Sequence, residues 1–299
     1  MKNLNLSQQY AVVALNGLES LHPSKAKNAA LRAVAAAKVM EEALAGEEWD
    51  AFLFLAKLDE AAKRAKALRK KEIKALETEM FALLEAGGLM ELVPDILGCD
   101  MYYYTAGVEL KAYRGEEKAY LRLREGLRAE ILEDGEISLE SAILLWLHRE
   151  SGCIHDLFSV DEQNRVQSRM MELSVSSDIY RSLWETEFRN ALEFFTGNFL
   201  RAKRNMFKNP YLEGVNILFP FLERRQAIFI DCVNFGTTVK ERRSAVMEHI
   251  SNMGHDVEEV QNGSETLLRV DHAYYRLFPK TTQVSKVPIQ GIELVPVYW

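Results

Sequence analysis

Cysteine is scarce in this sequence, and long apolar runs are missing. The three cysteines, Cys99, Cys153 and Cys232, are too few and too scattered for a disulfide framework, which favours a reducing cytoplasm. No stretch approaches the roughly 20 apolar residues that a membrane-spanning helix needs. The N-terminal "MKNLNLSQQY" lacks the apolar core of a signal peptide. These absences predict a cytoplasmic protein whose contact with a membrane, where there is one, is peripheral at the inner face.

An excess of positive charge is also missing, since the formal net charge is -7. The whole molecule is therefore no natural polyanion binder, and any such site must be a local patch. No nucleophile stands beside an evident base, and "HRESGCIHD" (His148, Cys153, His155 and Asp156) matches no zinc-ligand spacing. The sequence predicts a protein that is not an enzyme, with no catalytic residues, no metal and no cofactor.

What is present is helical periodicity through the first half of the chain. Apolar residues at helical spacing predict a helix in "LSQQYAVVALNGL" capped by Ser7, and a second behind Pro23 and Ser24. A third, longer helix is predicted from about Leu55 to Ala86. Two more are predicted in "EEKAYLRLREGLRAEILED" and in "SLESAILLWLHRES", the latter capped by Ser138.

A small β-hairpin is predicted after the third helix. Gly87 and Gly88 supply the left-handed backbone that ends helices. "LMELV" and "MYYYT" are rich in strand formers, and Pro94, Asp95 and Gly98 lie between them as turn residues. We therefore expect these two segments to pair.

The last third of the chain has the pattern of strands with one helix. "NILFPFL", "QAIFIDCV", "TLLRVDHAYYRLF" and "IELVPVYW" read as strands, and "VKERRSAVMEHISNMG" reads as a helix. The predicted fold is a mainly α N-terminal domain with a small β-hairpin, followed by a smaller α+β C-terminal domain. The predicted boundaries are residues 1–157 for the helical domain, 158–206 for connecting helices and 207–299 for the α+β domain.

The order of motifs in the first half resembles the Golgi phosphoprotein 3 family, in the form of its bacterial-type relatives. The resemblance is carried by "LNLSQQYAVVAL", "ALRAVAAAKVMEEAL", "ALLEAGGL" and "ISLESAILLWLHRESGCIHDLFS", in that order. It implies a mostly helical, non-enzymatic peripheral membrane protein. Eukaryotic members bind phosphatidylinositol 4-phosphate through a tryptophan and several arginines, and oligomerise through a hydrophobic hairpin.

This sequence departs from the family at those features. No aromatic residue stands near Lys25 and Lys27, where the family's tryptophan would fall, and Ile73 and Leu76 stand where paired arginines are expected. The stretch after Leu44 is too short for the hairpin insertion. The fold implied by the resemblance is unaffected, whereas the implied phosphoinositide site is weakened. A homo-oligomer is left open.

Two basic runs nevertheless predict a surface for anionic head groups. "HPSKAKNAALRAVAAAK" contains no acidic residue, and "KRAKALRKKEIK" contains Glu72 alone. Such runs create a local positive field that attracts phosphate groups, although a solvated helix face has the same pattern. The predicted head-group ligands are Lys25, Lys27, Arg32, Arg69, Lys70, Lys71 and Lys74.

Two other partner classes have to be weighed. Helix, Gly-Gly and hairpin also match the outline of a winged-helix DNA reader. The helix ends in the acidic and apolar "ETEMFALLEAGG", where base-reading residues would be needed, so nucleic acid is the less favoured ligand. The remaining alternative is a cytoplasmic regulatory or interaction protein that binds a protein or nucleic-acid partner through its C-terminal domain.

Overall fold

The computed structural model of the chain describes residues 4–21, 24–45, 51–96, 110–188, 227–232, 237–262, 266–284 and 287–297. Within them the helices are α1 (Leu6–Leu15), α2 (Lys25–Leu44), α3 (Ala51–Ala67), α4 (Lys70–Ala86), α5 (Glu117–Leu132), α6 (Leu139–Glu150), α7 (Ile154–Leu157), α8 (Val160–Ser176), α9 (Asp178–Glu185) and α10 (Val239–Asn252). The strands are β1 (Met90–Pro94), β2 (Lys111–Gly115), β3 (Ile228–Asp231), β4 (Val257–Asn262), β5 (Thr266–Val270), β6 (Ala273–Val284) and β7 (Val287–Val297). The predicted fold class is confirmed: a helical part with a two-stranded sheet precedes a smaller α+β part.

Helices α1, α2 and α6 form the centre of the helical part and pack against one another. Tyr10 on α1 and Trp146 on α6 are among its largest fully buried side chains. Helix α2 also packs along α3, and both helices bury alanines there. Small side chains allow two helix axes to approach closely, which explains the alanine-rich sequence of α2.

The caps of these helices agree with the sequence in two places and differ in one. Ser24 and Ser138 cap α2 and α6, because each hydroxyl accepts a hydrogen bond from the amide three residues ahead. The predicted cap of α1, Ser7, is wrong. Asn5 caps α1 instead: its side chain accepts from the amide of Gln8 at 2.9 Å, and the Gln8 side chain accepts from the Asn5 amide.

The predicted single helix from Leu55 to Ala86 is wrong, because the chain breaks into α3 and α4. Arg69 has an extended backbone, with φ -90° and ψ 159°, and it precedes the first residue of α4. Leu68, beside it, is buried in the core of the helical part. The apolar stripe continues in phase across the break, so periodicity alone does not reveal it.

Strand β1 follows α4 through the predicted glycines. Gly88, with φ 67°, is in the left-handed region that glycine enters easily, whereas Gly87 is not. The partner of β1 is β2, antiparallel, with Met90 opposite Gly115 and Pro94 opposite Lys111. The predicted partner "MYYYT" lies outside the described residues.

Helices α8 and α9 share the core of the helical part. Val166 and Met170 of α8 and Leu183 of α9 are buried there together with Phe188, which follows α9. A buried ion pair within α6 holds this end of the chain through hydrogen bonds to its backbone. The Arg149 guanidinium lies 2.8 Å from a Glu150 oxygen and donates to the carbonyls of Trp184 and Thr186.

The C-terminal sheet is antiparallel, with strand order β3-β7-β6-β5-β4. Helix α10 packs against it through Val246 and Ile250, which share a core with Ile230, Leu268 and Leu294. The predicted "TLLRVDHAYYRLF" becomes two strands, β5 and β6, joined by a tight turn. Strand β4 was missed by sequence reasoning. It ends the described order of the sheet, and its register with β5 shifts between Glu259 and Gln261. The predicted strand "NILFPFL" lies outside the described residues.

Candidate anion-binding surface

The break between α3 and α4 is held by Arg32 of α2. Its guanidinium donates to the carbonyls of Ala65, Lys66 and Leu68, the latter two at 2.9 and 2.8 Å. These carbonyls belong to the last turn of α3 and its exit, where helix geometry leaves acceptors unpaired. Arg32 therefore caps the C-terminus of α3, and this role explains how an arginine without an acidic neighbour in sequence is accommodated.

Glu72 holds the other side of the break. A carboxylate oxygen of Glu72 accepts from the Arg69 amide at 2.9 Å, and the other accepts from Arg64 at 3.0 Å. The hydrogen bond from the Arg69 amide, followed by the one from Arg64, lowers the pKa of Glu72. A carboxylate in the first turn also complements the positive end of α4. The elbow between the helices is thus fixed from both sides.

Exposed basic side chains gather at this elbow. Within the described parts of the chain, none of the five side chains that we call the basic elbow has an acidic oxygen within 4 Å: Lys66, Arg69, Lys70, Lys71 and Lys74. They surround the N-terminus of α4, whose first amides have no acceptor within the helix. The helix dipole adds to the positive field at that point. The arrangement can attract and hold a phosphate or another anionic group.

The groove beside the basic elbow is lined by more acidic than basic side chains. A cavity of about 860 Å³ lies between α2, α3 and α4, with Val39, Leu68 and Leu76 among its apolar lining residues. Its acidic and basic side chains pair with one another or with neighbours: Lys38 with Glu79, Lys63 with Asp59, Arg64 with Glu72, and Glu42 and Glu60 with Lys57. The uncompensated positive charge therefore lies on the basic elbow, outside the groove.

The structure brings together four of the seven predicted head-group ligands: Arg69, Lys70, Lys71 and Lys74. Two others do not face solvent as that prediction requires. Arg32 is half-buried and bonded to three carbonyls, as described above. Lys27 is only 2% exposed. The seventh, Lys25, begins α2, and its side chain is outside the described set.

Lys27 belongs to a buried cluster with Glu77 and Tyr113. Its ammonium lies 2.9 Å from a Glu77 oxygen and donates to the carbonyl of Ser20 at 2.7 Å. The Tyr113 hydroxyl donates to the same Glu77 oxygen at 2.7 Å. Burial, followed by the hydrogen bond to Glu77, raises the pKa of Tyr113. Lys27 therefore has a structural role. Its removal would leave the partly buried Glu77 carboxylate without this cation.

Neither a metal site nor a membrane span emerges from the parts of the chain that the structure describes. No three His, Cys, Asp or Glu side chains there are placed to hold a metal ion, and no helix there has the length and apolarity to cross a bilayer. His148, in the last turn of α6, packs its ring against Tyr10 with centroids 4.7 Å apart. Cys153 is fully buried beside the Ser151 hydroxyl.

Comparison with known proteins finds no matching family model, no matching curated protein and no matching solved structure.

Replacing Arg32 by Met tests its structural assignment. We expect the free energy of unfolding to fall by about 1–2 kcal/mol, because three carbonyls lose a charged donor. Chemical denaturation measures this change. Lys38→Met on the same helix is the control, since its half-exposed pair with Glu79 contributes at most about 1 kcal/mol. Equal effects of the two substitutions would contradict the capping role.

Proposed function

We propose that the protein is a non-enzymatic peripheral binding protein that recognises anionic phospholipid head groups through the basic elbow. The observation that supports this proposal is local: among the described residues, five exposed basic side chains have no acidic oxygen within 4 Å, on a chain of net charge -7. The Golgi phosphoprotein 3 resemblance of the first half points in the same direction. The proposed ligand set differs from the one predicted from the sequence: Lys27 and Arg32 have structural roles and are left out, and Lys66 is added.

The strength of the proposed interaction follows from the number of charges. Each Lys or Arg close to an anionic bilayer contributes about 1 kcal/mol. Five such side chains are sufficient for a weak, reversible association that needs no inserted apolar anchor. Because the side chains are exposed, salt screens the attraction over about 10 Å at moderate ionic strength. Binding should therefore weaken steeply as salt is added.

Vesicle co-sedimentation tests the proposal with a matched pair of variants. Lys70→Ala/Lys71→Ala should weaken binding to phosphatidylserine-containing vesicles by about 2 kcal/mol, roughly 30-fold. The control Lys118→Ala/Lys240→Ala removes two exposed lysines from α5 and α10. Both double variants change the net charge from -7 to -9, so only position distinguishes them. The control should bind like the wild type.

Varying the vesicle composition distinguishes recognition of a particular head group from attraction by charge alone. Stronger binding to phosphatidylinositol 4-phosphate than to phosphatidylserine at equal surface charge would indicate head-group recognition, and equal binding would indicate attraction by charge alone. If neutral vesicles bind as well as anionic ones, or both double variants behave alike, the lipid proposal fails. The alternative is then a regulatory or interaction protein that binds a protein or nucleic-acid partner through its C-terminal domain.

A further inference from the structure

The C-terminal sheet is attached to the β1–β2 hairpin by two histidines. His272, in the turn between β5 and β6, donates from Nε2 to the Gly115 carbonyl at 3.2 Å, and its ring stacks on Tyr120 with centroids 4.3 Å apart. His255, after α10, places Nε2 2.7 Å from the carbonyl oxygen of Pro94. Both carbonyls belong to ends of the hairpin strands. Imidazole groups therefore supply two of the polar contacts at this junction, beside those of Arg114 with Gly254 and Asp271.

His255 faces an acceptor on each side of its ring. Nδ1 lies 2.7 Å from a carboxylate oxygen of Asp271, and Nε2 faces the Pro94 carbonyl. A backbone carbonyl can only accept, and so can an ionised carboxylate. Burial opposes ionisation of Asp271, but the hydrogen bond from His255 and the charges nearby hold its pKa below the usual value. Both ring nitrogens must then carry hydrogen, so the geometry fits the imidazolium form.

The charged groups around His255 are mainly acidic. Besides Asp271, they include Asp256 next in sequence. Asp95 and Glu19 line a cavity of about 260 Å³ together with His255 and the other titratable ring, His272. Arg114 on β2 is the nearby cation. It lies 3.6 Å from Asp271, donates to the Gly254 carbonyl at 2.7 Å and is itself paired with Glu91. These carboxylates are charge partners of opposite sign for an imidazolium.

We propose that His255 is a proton-dependent clasp that holds the C-terminal sheet on the hairpin while charged and releases it as the pH rises. A neutral imidazole carries one hydrogen, so one nitrogen would present its lone pair to an oxygen 2.7 Å away. That contact is repulsive. Because the ionised Asp271 carboxylate is a stronger acceptor than a backbone carbonyl, Nδ1 keeps the hydrogen and the Pro94 side opens. Loss of one ring proton is therefore the event that opens the clasp.

Two measurements on the wild-type protein test the clasp. Nitrogen-15 NMR of the imidazole rings should show both nitrogens of His255 protonated at about pH 6. Amide hydrogen exchange, corrected for the intrinsic pH dependence of exchange, should show protection of the Asp95 and Asp271 amides falling about tenfold between the charged and the neutral state of the ring, both read from the nitrogen-15 spectra. The two amides flank the clasp: that of Asp95 is bonded to the Leu110 carbonyl beside Pro94, and that of Asp271 to the Asp256 carbonyl beside His255. A neutral His255 ring at the acidic end, or protection that does not change with pH, overturns the proposal.

Asp271→Asn is the matched variant. Asparagine is tolerated in the left-handed backbone at this position, where φ is 50°. Its amide can donate to a neutral Nδ1 while its oxygen keeps accepting from the Asp256 amide, and Nε2 can still donate to Pro94. The clasp should then stay closed at every pH, and the tenfold change in protection should disappear. His272→Gln keeps a donor for Gly115 and should retain the full pH effect. If Asp271→Asn keeps the pH effect, or His272→Gln removes it, His255 is not the titrating group of the clasp.

Discussion

Replacing Arg149 by Met should lower the free energy of unfolding by about 3–5 kcal/mol, because it leaves the buried Glu150 carboxylate without its cation. The side chains of this pair are 9% and 0% exposed. The guanidinium also donates to the Trp184 carbonyl and lies over the Trp184 ring, 4.2 Å from its centroid. All these contacts disappear together. Urea denaturation followed by circular dichroism measures the loss without depending on the fluorescence of Trp184.

The double variant Arg149→Met/Glu150→Gln shows whether the negative charge of Glu150 causes the loss of stability. Glutamine keeps an oxygen that can accept from the Phe188 amide, as Glu150 does at 2.8 Å, and it is neutral. We expect the double variant to recover a large part of the stability lost by Arg149→Met. Arg181→Met, which breaks an exposed pair with Asp178, should change stability by less than about 1 kcal/mol. A similarly small effect for Arg149→Met would show that Glu150 finds another partner.

Replacing Gly291 by Ala should destabilise the C-terminal sheet by about 3 kcal/mol, at the upper end of the usual range for overpacking. Gly291 lies on β7 opposite Asp231 of β3. A β-carbon there would overlap the Phe229 ring and the Ile230 carbonyl. The ring can rotate away, but the carbonyl belongs to the backbone of the adjacent strand and cannot. The measurement is the change in Tm by differential scanning calorimetry.

Gly126→Ala is the control, and we expect it to change Tm in the opposite direction. Gly126 lies inside α5, and its β-carbon would meet nothing within 4 Å. Alanine is the better helix former by about 1 kcal/mol, so Tm should rise. If Gly291→Ala also raises Tm, the strands β3 and β7 are further apart at this point than the structure places them.

Local patterns in the sequence were sufficient for the helical part of the fold. The caps at Ser24 and Ser138 and the exit from α4 at Gly88 depend on residues within a few positions, and the structure confirms them. The break at Arg69 could not be read in this way. The break is stabilised mainly by Arg32, which lies more than 30 positions earlier in the chain. An apolar stripe shows which helix face is buried, but it does not show whether the helix is continuous. Strand β4 was missed because "VEEVQN" is mostly polar, as exposed edge strands are.

The candidate site was predicted only in part for the same reason. A run of lysines and arginines shows where positive charge is concentrated, but it does not show which side chains have partners. Lys27 is paired with Glu77, 50 residues away in sequence. Arg32 donates to backbone carbonyls, and because every residue has a carbonyl, the amino-acid types do not reveal such a partner. The basic side chains of the second run that remain exposed lie at the exit of α3 and in the first turns of α4. The junction histidines gave no signal either, because their partners Pro94 and Gly115 act through backbone oxygens.

The irregular strand β4 also affects how the folded protein behaves at high concentration. A regular strand at the end of a sheet presents a row of backbone donors and acceptors to any extended chain that approaches. In β4 the register shift near Glu259 interrupts that row, and Glu258 and Glu259 bring negative charge to it. The two carboxylates are held in place by Arg269 and Arg243, at 2.9 Å each. An added strand would meet a bulge and two anchored charges, so this edge resists the pairing of one sheet with another that leads to aggregation.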